Sequence, residues 1–223
     1  MHESILKLNL VKNKVKEITN KKQLKINAKI IVITKTFPLS KILPLLNNDH
    51  IDFGENKIQE AEQKWSEKKN SFKNIKLHMV GKLQSNKAKK AVQIFDYLHS
   101  LDNEKLALKI SKYENELNKK TKLFIQVNLA DETQKSGITL KVLDNFYNYC
   151  AKDLSLNVIG LMCLPPIESK SIEYFKLLKN ASKKINLKEL SMGMSSDFEN
   201  AIISGATYLR LGTIILGKRN SSI

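Results

Sequence analysis

Eight short apolar runs, evenly spread along the chain, constrain the fold more than any other feature. They read "KIIVIT" near Ile31, "HIDFG" near Ile51, "KLHMVG" near Leu77, "FDYLHS" near Tyr97, "KLFIQVNL" near Ile125, "NVIGLMC" near Ile159, "KELSMG" near Leu190 and "ATYLRLG" near Leu209. Their centres lie roughly 20 to 35 residues apart, the repeat of a strand plus its crossover helix. The stretches between them carry helical periodicity. Ile58, Ala61, Glu62 and Trp65 fall at helical spacing in one, and Leu106, Ile110, Tyr113 and Leu117 share a face in another. A further helix, about Ser4 to Thr19, precedes the first strand.

Alternating strands and helices in 223 residues predict a single (β/α)8 barrel of the TIM type with an extra N-terminal helix, spanning 1–223 as one domain. A doubly wound open sheet is the alternative. It lacks support from any G-x-G-x-x-G or Walker loop, and "GKLQSNK" resembles a phosphate loop only superficially. Apolar residues make up 42% of the chain, enough for a large core, and no apolar run is long enough to span a membrane. The first residues have no signal-peptide pattern, and two cysteines make no disulfide framework, so a cytoplasmic protein is expected.

The net charge of +16 raises the question of nucleic acid. Of 38 basic residues, however, only Arg210 and Arg219 are arginine, the residue that nucleic-acid readers favour. The lysines are scattered over the polar faces of nearly every helix, so a solvated surface is the better reading and no specific nucleic-acid partner is expected. Where lysine serves as the general cation, a remaining arginine marks a place that needs the planar guanidinium. Arg210 interrupts the strand-like run "TYLRLG".

Gly54, Gly81, Gly193 and Gly212 each follow a strand-like run, which in a barrel is the face where active sites form. The same face would gather Lys35 after strand one, Asn56 after strand two, His78 in strand three, Ser191 to Ser196 after strand seven, and Arg210 with Gly212 and Thr213 at strand eight. Ser196 and Glu199 have the spacing of a capping box, so a helix is expected to start there and point its amides at the mouth. A lysine facing a phosphate site suits pyridoxal phosphate, with Arg210 at its ring nitrogen. It suits equally a sugar phosphate in an aldolase, and a strand-end lysine can also simply snorkel to solvent. His78 reads as a satisfied core histidine. The pairs Glu55/Glu60 and Asp197/Glu199 read as helix N-termini. The histidines and cysteines show no metal-ligand spacing, and no G-x-S-x-G elbow exists.

The segments "IVITKTFP", "FGENKIQEAEQKW", "LHMVGKLQSNKAK", "QVNLADETQKSGI", "GLMCLPP" and "LSMGMSSDFENAIISGATYLRLGTIILGKR" occur in that order over nearly the whole chain. Together they resemble the pyridoxal phosphate homeostasis protein family, similar to the barrel domain of alanine racemase. The resemblance implies pyridoxal 5'-phosphate as cofactor, held as an aldimine by Lys35. It implies Arg210 at the ring nitrogen, Ser195 with the backbone around Gly212 and Thr213 at the phosphate, Asn56 and His78 lining the pocket, and Met194 beside the cofactor. The chain departs from the family at Phe37, where a second lysine is usual, at Thr34 for serine and at Leu77 for tryptophan; Lys135 matches the family's other candidate for a hand-off amine.

An arginine at the ring nitrogen keeps it unprotonated and weakens carbanion stabilisation. The sequence ends soon after the eighth run, so the β-rich racemase domain with its tyrosine is not expected. The expectation is therefore a monomeric carrier without catalytic residues, storing or delivering cofactor, limiting free aldehyde, and meeting apo-enzymes transiently. The alternative is a low-efficiency amino-acid racemase.

Overall fold

The computed structural model describes residues 1–72, 74–130, 136–166 and 170–218. Lys135 and Arg219 lie outside the described residues. Eight parallel strands close into a barrel in sequence order: β1 (Lys29–Ile33), β2 (Asp52–Glu55), β3 (Lys76–Met79), β4 (Tyr97–Leu101), β5 (Lys122–Gln126), β6 (Val158–Met162), β7 (Glu189–Ser191) and β8 (Tyr208–Leu211). The β1–β8 seam pairs Ile31 with Arg210, so the predicted closed barrel forms and the open sheet does not.

The helices are α1 (Glu3–Lys21), α2 (Leu39–Leu46), α3 (Ile58–Trp65), α4 (Lys68–Ser71), α5 (Ala88–Ile94), α6 (Glu104–Glu116), α7 (Leu143–Asn148), α8 (Ser171–Lys184), α9 (Phe198–Ile203) and α10 (Thr213–Leu216). In α1, Ser4, Leu8, Val11, Val15 and Ile18 recur every three to four residues; this stripe is buried, and the helix packs on α9 and α10. Asn103 caps α6 by accepting the Leu106 N–H at 2.9 Å. No helix among the described residues is long and apolar enough to cross a membrane.

The alternation of strand side chains divides the interior into two cores. Ile30 and Val32 point outward and join Trp65, Phe53, Leu77 and Phe175 under the helices. Each such side chain contributes about 1.5–3 kcal/mol on burial. Ile31 points inward, with Tyr97, Phe124, Met162 and Tyr208. This inner core also holds His78, His99, Ser191 and Arg210, all buried. A polar set of that kind survives inside a barrel only when its hydrogen bonds are satisfied.

Two expectations need correction. Gly54 lies within β2, not after it, and a Cβ there would come 2.5 Å from Ile33 Cδ1. The helix after β7 starts at Phe198, and Ser196 does not cap it. The Asp197 carboxylate turns back to accept the Met194 N–H at 2.6 Å, closing a turn that delays the helix.

Candidate functional site

A cavity of about 400 Å3 opens where the C-terminal strand ends meet. It is lined by Ile33, Lys35, Asn56, Val80, Leu164, Met194, Ser195, Ser196, Arg210, Gly212 and Thr213. Seven of the eight residues singled out in the sequence are therefore brought together. His78 is the exception. Its ring is fully buried in the barrel interior, stacked on Tyr97 at 4.2 Å and hydrogen-bonded to Asp52 and His99. A larger hollow of about 800 Å3 lies between α7 and α8, but its lining includes no strand end, so size alone does not mark the site.

Lys35 is half-buried on a turn just past β1. Thr36 follows with φ of 66°, an uncommon conformation for a β-branched residue. Charged side chains hold this turn. Glu55, at the end of β2 and wholly buried, accepts from Thr34 Oγ1 at 2.6 Å, Lys64 Nζ at 2.7 Å and Trp65 Nε1 at 3.0 Å. Lys64 Nζ also donates to the Thr34 carbonyl at 2.8 Å and to Glu60 at 3.0 Å. Glu60 in turn accepts the Thr36 N–H. Both sides of Lys35 are thus clamped by one buried ionic cluster supplied by β2 and α3. Glu60 is in the first turn of α3, as its helix-N-terminus reading implies, but Glu55 is an anchor in a strand. Sequence reasoning missed Lys64 altogether. The available signal was an acidic residue closing a strand whose neighbours are apolar.

The opposite wall is built from backbone. The N–H groups of Gly212 and Ile214 both point at Ser195 Oγ, at 3.3 and 3.4 Å. The loop that presents Ser195 depends on Gly193, which has φ of 91° and no room for a Cβ against Ala201 at 2.5 Å. On the adjacent side, Gly81 lets the chain pass so close to Asn56 that a Cβ would sit 2.3 Å from the Asn56 carbonyl oxygen.

Arg210 forms the floor. It is 4% exposed and donates from Nη1 to Ser191 Oγ at 2.8 Å and from Nη2 to the Cys163 carbonyl at 2.9 Å. Burial pulls its pKa below the ordinary guanidinium range, yet a guanidinium remains charged at neutral pH. Burial also pushes the Cys163 thiol up to about 12, so it is not a nucleophile beside the site. An amine, a pair of convergent amides and a fixed cation therefore face one small volume. Such a set can hold a flat, phosphorylated aldehyde.

Several known proteins are similar to this chain. Residues 6–220 match the family model for the alanine racemase N-terminal domain. The pyridoxal phosphate homeostasis protein of a Synechocystis species is 37% identical over 202 residues, covering 86% of this chain and 92% of its own. The structure of PipY from Synechococcus elongatus determined with pyridoxal phosphate bound superposes with a TM-score of 0.80 at 30% identity, covering 91% of this chain and all of that one. Alanine racemase of Clostridium difficile shares the fold at 14% identity and a TM-score of 0.71, over 99% of this chain and 57% of its own. On its motifs, its closed barrel and these similarities, the chain belongs to the pyridoxal phosphate homeostasis protein family.

Proposed function

We propose that this protein binds pyridoxal 5'-phosphate in the barrel mouth and serves in its homeostasis within the cell, storing or delivering the cofactor and limiting free aldehyde. The observation that carries the reading is the convergence of Lys35, the Gly212 and Ile214 amides and Arg210 on one cavity. The residues fit the group. Ser195 Oγ occupies a point to which two N–H groups already donate, and a phosphate oxygen satisfies the same donors. When bound, pyridoxal phosphate supplies an aldehyde that an amine can hold covalently, on a ring that draws electron density. Lys35 offers that amine, on a turn whose position its ionic clamp fixes. Ser195 and the backbone at Gly212 and Thr213 bind phosphate. Arg210 directs a planar donor at the ring nitrogen. Asn56 and Met194 border the ring.

The reading favours carriage over turnover. Among the described residues lining the cavity, only Lys35 and Arg210 are ionisable. Racemisation needs an acid/base group on each face of the reacting carbon, and a guanidinium is a poor one. We read the chain as one barrel domain over 1–223, monomeric and cytoplasmic, meeting apo-enzymes transiently.

The test is borohydride treatment of the cofactor-loaded protein followed by peptide mapping. The expected label is on Lys35, and Lys35→Ala should lose it. Label chiefly on Lys135 or on surface lysines would remove Lys35 from its role. A racemase activity on alanine or serine that persists through re-purification and vanishes in Lys35→Ala would replace carriage by catalysis.

A further inference from the structure

Arg210 is a buried cation whose two hydrogen-bond partners among the described residues, a hydroxyl and a backbone carbonyl, carry no charge. The Asp197 carboxylate favours its charge from a distance, but no carboxylate among the described residues pairs with it directly, and a buried charge without a direct partner is costly. From Ser191, however, an unbroken line of hydrogen bonds runs through the barrel. Ser191 Oγ is 2.8 Å from His99 Nδ1, His99 Nε2 is 3.0 Å from His78 Nδ1, and His78 Nε2 is 3.0 Å from Asp52 Oδ1. Asp52 opens β2 and borders a hollow at the opposite end of the barrel, with Lys29 and His50. All five residues are buried. Stacking on Tyr97 at 4.2 Å and on Phe124 at 4.3 Å fixes the planes of His78 and His99.

The proton positions follow from valence. Burial raises the Asp52 carboxyl, but the hydrogen bond from His78, with the Lys76 ammonium nearby, leaves it below its ordinary value, so Asp52 is ionised and can only accept. His78 Nε2 therefore carries a proton. Burial keeps both imidazoles neutral, acting on His99 most strongly. His78 Nδ1 must then accept, which makes His99 Nε2 the donor and His99 Nδ1 an acceptor. The Ser191 hydroxyl donates to His99 and accepts from Arg210. Every donor points away from Arg210 and every acceptor towards it, so each dipole turns its negative end to the cation and its positive end to the carboxylate. Hydrogen bonds aligned in this way strengthen one another.

We propose that Ser191, His99 and His78 form a one-directional relay that makes Asp52, at the far end of the barrel, the hydrogen-bonded counter-charge of Arg210, beside the through-space influence of Asp197, and thereby fixes the guanidinium for the cofactor's ring nitrogen. These four are positioning residues; none of them lines the cavity. The inference rests on the cofactor reading of the mouth, but its first test needs no cofactor. In the apo-protein labelled with 15N-histidine, at neutral pH, both His78 and His99 should be neutral and protonated on Nε2. A proton on Nδ1 of either ring, or an imidazolium, overturns the relay.

The second test is a cycle of Asp52→Asn, which keeps an acceptor but no charge, and His99→Phe, which keeps the stack on Phe124. Each should weaken pyridoxal phosphate about three- to tenfold with unchanged circular dichroism, and the double variant should lose no more than the stronger single. Unchanged affinities, or losses that multiply, overturn it. If a variant fails to fold, the tautomers of the wild type decide. Failure of the wild type to bind pyridoxal phosphate would strike the proposed function alone, because the tautomers are read without it.

Discussion

The two walls of the barrel mouth are built by different means. On the β1 side, the turn carrying Lys35 is held by three charged side chains, Glu55, Glu60 and Lys64, with Thr34 and Trp65 as further donors. On the β7–β8 side, Ser195 and the Gly212 and Ile214 amides are held by chain geometry, with the Met194–Asp197 turn and Gly193 as its supports. The contrast follows from what each wall presents. Amides are part of the chain, so fixing the chain fixes them. An amine on a flexible stem needs its turn anchored from outside, and a buried ionic cluster anchors it strongly at the risk of failing abruptly when one ion is lost.

The sharpest way to break this comparison is Lys64→Ala. It leaves Glu55 wholly buried without its cation and should cost about 3–5 kcal/mol of stability, read by denaturant unfolding. Adding Glu55→Gln should recover part of the loss, because the remaining group is then uncharged. A Lys64→Ala protein as stable as the wild type would show that the turn stands without ionic support. Next in size is Arg210→Lys, which keeps the charge but loses the planar fork. Pyridoxal phosphate titration should show a loss of roughly 1–3 kcal/mol in binding with folding unchanged. Equal affinities would reduce Arg210 to a generic cation. The smallest effect is expected on the backbone wall. Asp197→Asn keeps an oxygen able to accept the Met194 N–H, so stability and affinity should both stay within about 0.5 kcal/mol. A loss as large as that of Lys64→Ala would erase the distinction between the walls.

Much of this was legible in the sequence because strand ends in a barrel converge whatever the details. Eight apolar runs gave the eight strands, and the residues just past them, with Arg210 inside the last, gave seven members of the cavity. Local pattern does not reveal which buried polar groups meet across the barrel. His78 and His99 lie in different strands, and their partners Asp52 and Ser191 in two more, so nothing in the neighbourhood of either announces the line they form. Lys64 was hidden for a different reason. In a chain so rich in lysine, one at the end of an amphipathic helix looks like all the others, although it is only 8% exposed. The start of α9 was misplaced because a carboxylate near a helix start can cap the helix or close the turn before it, and Asp197 does the latter.

The chain has one tryptophan, and it is Trp65. Its indole N–H is tied to the same Glu55 oxygen that receives Thr34, immediately before Lys35. All indole fluorescence from this protein therefore originates from a single ring that shares an anchor with the turn carrying Lys35. Emission colour and quenching offer a label-free optical gauge of that turn. Overlap of this emission with the absorption of a cofactor in the mouth would allow loading and release to be followed in real time, without an added dye.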